Sequence, residues 1–110
     1  MPKFPGGEAA IVDREKLTGY CLNPEHPRGK HKARVFATLG FTVENADDLR
    51  AALLTAAATV DALPAASDQF GDRYVLEFEI DGPRGAGMLK STWIVRHGER
   101  TPRLTSCLVK

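Results

Sequence analysis

The hydrophobic period of this chain changes once, at Gln69, and that change restricts its fold more than any other feature. Ahead of it, Leu49, Leu53, Ala56, Val60 and Leu63 recur at spacings of three and four, the stripe of a helix with one buried face. Beyond it, Tyr74, Leu76, Phe78 and Ile80 alternate with Arg73, Glu77, Glu79 and Asp81, and only Val75 breaks the pattern. A stripe of helical period cannot bury itself as a strand, nor an alternating run as a helix. Helices come first and the sheet follows, which is the order of an α+β domain.

The helical half divides into three. Ala9–Val12 reads as a short edge strand, and Asp13 stands in capping position before a short helix with Leu17 and Tyr20 inward. Two prolines and a glycine in Asn23–Gly29 forbid regular structure there. A second helix is predicted from Lys30 to Leu39, with Ala33, Phe36 and Ala37 on its apolar side and Gly40 as its stop. The third is predicted from Asn45 to Leu63, with Asn45 as cap, Asp47 and Asp48 in the first turn and Pro64 ending it. In the second half, the glycine-rich Gly82–Gly87 reads as a hairpin turn, followed by strands Met88–Arg96 and Arg103–Val109. The expected architecture is N-terminal helices packed on one face of a C-terminal antiparallel meander of three to four strands. Tyr74, Leu76, Phe78, Ile80, Leu89, Trp93 and Leu104 then face the helices, and Glu77, Glu79, Lys90, Thr92, Arg96, Arg103 and Thr105 face outward.

At 110 residues the chain has room for one domain, residues 1–110, and needs no metal or disulfide to build its core. No apolar run approaches the ~18–20 residues that span a bilayer, so no membrane partner is expected. Residues 1–8 include a cation but no apolar stretch of the secretory kind, which points to a cytoplasmic chain with Cys21 and Cys107 reduced. Those cysteines form no CxxC pair, and with three scattered histidines they offer no zinc pattern, so no metal or cofactor is expected. The formal charge of +1 hides a division: residues 41–72 hold one cation and six anions, and each flanking segment holds seven and four. The basic ends suit phosphate but fall below the density of a dedicated nucleic-acid binder.

Two regions carry candidate chemistry. Between His26 and Arg34 lie four cations and two histidines, opening a helix whose free N–H groups favour anions. Lys30 and Lys32 there suit a phosphate, with Arg28 and His31 beside them and His26 as a proton carrier near neutral pH; the plain alternative is a rigid loop whose His26 bonds the backbone and whose lysines are solvated. The second region is the outer sheet face, where a carboxylate, cations such as Arg103 and the hydroxyl of Thr105 would share adjacent strands. Solvated cross-strand ion pairs are the plain alternative there. Gly82–Gly87 runs from strand to strand, which excludes a P-loop, and Ser91 and Ser106 have no G-x-S-x-G setting and fall on the inward parity.

The run Leu22-Asn23-Pro24-Glu25-His26-Pro27-Arg28-Gly29-Lys30-His31-Lys32-Ala33-Arg34-Val35-Phe36, closed by Gly40, resembles a bacterial domain family of uncharacterised activity that carries L-N-P-x-H-P-x-G-x-x-K-A-x-x-F. Tyr74-Val75, Gly82-Pro83, Trp93-Ile94-Val95 and Pro102 to Ser106 extend that resemblance over nearly the whole chain. The layout also resembles, more loosely, small metal-independent ribonuclease toxins of the barnase, colicin and RelE type. That resemblance implies catalytic roles for His26, Lys32 and Thr105, with Arg28, Lys30, His31 and Arg103 on phosphate or RNA. His26 would exchange a proton with the 2′-hydroxyl or the leaving oxygen. Lys32, with Lys30 or Arg103, would stabilise the phosphorane, and Thr105 would orient a phosphate oxygen. The chain departs from the toxins in having no Glu–Arg–His set fixed by spacing. The other expectation is a non-catalytic interaction module of a bacterial toxin or phage-associated system, whose exposed last strand takes a cognate inhibitor or partner protein.

Overall fold

A computed structural model describes residues 4 and 6–110 of the chain and joins three helices to a four-stranded sheet. Helix α1 (Arg14–Lys16) widens at once into a π-helical turn (Leu17–Cys21), α2 spans Lys30–Thr38 and α3 spans Ala46–Thr59. Strands β1 (Leu63–Pro64), β2 (Gly71–Gly82), β3 (Gly85–Arg96) and β4 (Arg103–Val109) lie in chain order across the sheet, and every neighbouring pair is antiparallel. The expected α+β meander is the observed architecture.

The element ends differ where local chemistry competes with periodicity. Asn45 does not cap α3 with its side chain. Its carboxamide oxygen accepts the Thr42 N–H at 2.8 Å and its NH2 donates to the Gly40 carbonyl at 2.8 Å, closing a 3-10 turn (Val43–Asn45) that leads into α3. Gly40, at φ +92°, lets α2 end and the chain reverse there. Helix α3 stops at Thr59, short of the expected Leu63, and Val60 is already extended. Pro64 disfavours a helical Leu63, and β1 instead pairs Leu63 with Val75 and Pro64 with Tyr74. Leu63 is therefore 43% exposed and does not close the buried stripe. The glycine-rich turn is tighter than expected, because Gly82 pairs with Gly85 and only Pro83 and Arg84 lie between. The expected edge strand at Ala9–Val12 reduces to a 3-10 turn (Gly7–Ala9) and one parallel bridge from Ile11 to Arg103.

Between helices and sheet lies one core. Leu49, Leu53 and Ala56 of α3, Phe36 of α2 and Leu17 meet Leu76, Ile80, Leu89, Trp93 and Leu104, while Tyr74 and Phe78 are partly buried at its margin. Each large apolar side chain removed from water contributes about 1.5–3 kcal/mol. Trp93 sits at the centre: its indole N–H donates to Ser91 Oγ at 2.9 Å, and that fully buried hydroxyl donates to the Leu76 carbonyl at 3.2 Å. On the outer face Glu77 stands opposite Lys90 and binds Lys110 at 2.6 Å, so that face carries cross-strand ion pairing. Among the described residues no helix is long and apolar enough to cross a membrane.

Candidate active site

The histidine loop is built by its own side chains. Asn23 Oδ1 accepts the Glu25 N–H at 2.9 Å, forming a local turn. His26 Nδ1 accepts two backbone N–H groups, from Arg28 and Gly29, each at 3.0 Å, immediately before α2 begins. A ring nitrogen that accepts carries no proton, so this bond pattern places the proton on Nε2. Gly29 is required by close approach: a Cβ there would fall 2.3 Å from the Tyr20 carbonyl oxygen. Loop and π-turn are thereby pressed together, and the Tyr20 and His26 rings meet edge-on with centroids 4.8 Å apart.

Helix α2 presents Lys32 to the same place. Its ammonium donates to Tyr20 Oη at 3.0 Å and to Ser106 Oγ at 2.8 Å, and it lies 4.6 Å from the Tyr20 ring centroid. One half-buried cation therefore ties α2, the π-turn and β4. A register shift opposite Thr92/Trp93 brings Ser106 to it. With Thr105 inserted in β4, Cys107 faces the core and Ser106, expected on the inward parity, is only partly buried. The Thr105 hydroxyl donates to the Thr92 carbonyl at 3.0 Å and shares a 2.8 Å bond with the Thr92 hydroxyl.

These groups border a cleft of about 400 Å³ lined by Asp13, Glu15, Lys16, Gly19, Tyr20, His26 and Thr105. His26 and Thr105, far apart in sequence, share it, and Lys32 lies against its Tyr20 wall. The other expected phosphate ligands lie elsewhere. Lys30 lines a separate apolar groove with Leu22, Pro24 and Phe41. Arg103 donates to Glu99 at 3.2 Å, and Arg28 and His31 are exposed. Sequence reasoning missed Tyr20, Glu15 and Lys16 as cleft residues, because helical spacing assigned Tyr20 to the core and nothing marked the π-turn. Among the described residues no three of His, Cys, Asp and Glu group as metal ligands.

Cys21 and Cys107 are free and buried behind the Lys32–Ser106 contact. The Cys107 thiol, hydrogen-bonded to Cys21, holds Cys21 below the usual thiol range against its own burial, with Ser106 and the Lys32 charge acting in the same direction. The same contact, together with burial, pushes Cys107 up.

The chain belongs to the family described as Domain of unknown function (DUF6883), whose model matches residues 3–110 and so contains the whole histidine-loop motif. No curated protein sequence matches the chain. Among solved structures it is similar to a chain of the contact-dependent growth inhibition toxin–immunity protein complex from Klebsiella pneumoniae 342. The TM-score is 0.68 at 22% identity, over 92% of this chain and 100% of that one.

Proposed function

We propose that this DUF6883 chain is a small metal-independent ribonuclease-like toxin or effector domain that cuts RNA in the His26–Lys32–Thr105 cleft. One observation carries the reading: His26 and Thr105 line a single cleft whose Tyr20 wall is hydrogen-bonded to the Lys32 ammonium. RNA carries its own nucleophile, the 2′-hydroxyl, so the protein has only to move protons and hold charge. The 2′-oxygen attacks the adjacent phosphorus and gives its proton to a rim carboxylate, Glu15. The bond to the 5′-oxygen breaks, and that oxygen takes the Tyr20 hydroxyl proton while Lys32 holds the charge left on the phenol. His26 donates its Nε2–H to a phosphoryl oxygen, a narrower part than full proton exchange, because its Nδ1 is engaged by the loop. Thr105 turns its hydroxyl from the Thr92 carbonyl to the phosphate, and Lys16 takes the clamp role expected of Lys30 or Arg103.

The test is incubation with end-labelled RNA in EDTA. The expected product carries a 2′,3′-cyclic phosphate, and Tyr20→Phe, His26→Ala and Lys32→Met should each lower the rate by about 10²-fold or more. Undiminished cleavage in a His26→Ala/Lys32→Met double variant, or none by the parent protein, would overturn the reading. The structural neighbour comes from a toxin–immunity protein complex, which supports a protein partner for this chain as well.

A further inference from the structure

Among the described residues, β2 leaves much of its outer edge open. That strand runs from Gly71 to Gly82, yet β1 covers only Tyr74 and Val75. The Ala65 N–H donates to the Arg73 carbonyl, so odd-numbered residues of β2 turn their backbone groups away from β3. By that alternation Glu77, Glu79 and Asp81 present N–H and C=O groups at the edge, and among the described residues no backbone partner meets them. Beside this edge lies a groove of about 460 Å³ between Phe78 and Ile80 of β2 and a shelf of small residues on α3, namely Ala51, Ala52, Thr55 and Ala56. Unpaired backbone next to an apolar shelf is the arrangement that accepts an added strand.

We propose that the β2 edge is a docking site for an extended, basic strand of a partner protein. Charge selects the occupant. The groove's charged lining residues are Glu79 and Asp81, and the segment that supplies α3 is the one with a single cation against six anions. Lys or Arg would stand across from Glu79 and Asp81 on the wet face, and β-branched side chains between them would fill the space over Ala52 and Ala56. A second copy of the chain is disfavoured at this edge. Antiparallel self-pairing about Glu79 sets Glu79 against Glu79 and Glu77 against Asp81. The groove lies at the opposite edge of the sheet from the His26 cleft, so this inference is independent of the RNA reading and its test involves no RNA.

The probe is a capped peptide alternating Lys and Val over seven residues, followed by NMR amide exchange and titration calorimetry on the full chain. The amides of Glu77, Glu79 and Asp81 should exchange quickly in the free protein and become protected when the peptide is added. A peptide of the same composition with its lysines in one block, and an alternating Glu/Val peptide, should each bind about tenfold more weakly or worse. Glu79→Pro removes one edge N–H without touching a bond to β3 and should lose about tenfold in affinity. Thr55→Arg, on the exposed side of α3, fills and charges the groove and should do the same if the proline variant misfolds. Three outcomes would overturn the proposal: no protection of these amides at millimolar peptide, equal binding of the block peptide, or protection that already appears with protein concentration alone.

Discussion

A histidine ring has two nitrogens, and in His26 the loop takes one of them. The sequence announced a histidine beside cations but not which atom would be free, since that depends on where the Arg28 and Gly29 N–H groups point. Asp68 shows the same division of labour in a carboxylate. It accepts Arg73 Nε at 2.8 Å and the N–H groups of Phe70 and Gly71, and these contacts, Arg73 foremost, hold it below the usual carboxylate range. A carboxyl whose folded pKa is depressed stabilises the fold above its unfolded value near 3.8, and that contribution is lost as pH falls through the folded value. Asn at this position keeps an acceptor for the turn but not the charge. The melting-temperature gap between the parent protein and Asp68→Asn should therefore be largest at neutral pH and narrow as the pH falls below 3.8. A gap that stays constant across that range would show that Asp68 acts by shape alone.

At the scale of elements, most of the fold was legible because α3 and the three long strands each carry a periodic apolar face. The illegible parts are those where one residue breaks the period. The extra residue at Thr105 reversed the expected placement of Ser106, and a bulge of this kind leaves no mark in an alternation so short. With α1 widened into a π-turn, Tyr20 packs against the core only at its margin and also walls the cleft, and Gly29 is what lets the histidine loop lie against it. Gly29→Ala therefore addresses the join between two elements. Its methyl group would lie 2.3 Å from the Tyr20 carbonyl oxygen, inside the 3.0 Å limit of real contacts, so loop and turn must move apart by the difference or more. Cleavage should fall about tenfold or more, as positioning is sensitive to shifts of this size, with a stability loss of about 1–3 kcal/mol. Retained activity with unchanged Tyr20–His26 ring-current shifts would place the site's rigidity elsewhere.

The whole molecule is closed by a segment that has no periodicity. Phe4 stands among prolines and glycines, so nothing in the sequence assigned it to the core, yet it is only 4% exposed. Its ring lies 4.9 Å from Tyr74 on β2 and 5.7 Å from Trp93 on β3, nearly perpendicular to the latter, and a few residues later Ile11 bridges to β4. One short segment thus touches three strands. Contacts so distant in sequence are invisible to any local pattern, and each must repay the entropy of closing a long loop. Removing the ring leaves a void against Trp93, the largest fully buried side chain, which costs about 3–5 kcal/mol. In a chain of this size Phe4→Ala should lower the melting temperature by about 10 °C or more. Leu63→Ala, which trims an exposed leucine, should stay within about 0.5 kcal/mol of the parent. Thermal unfolding of the two variants side by side decides whether the N-terminal segment is part of the cooperative unit. Equal melting temperatures would mean that helices and sheet hold together without it.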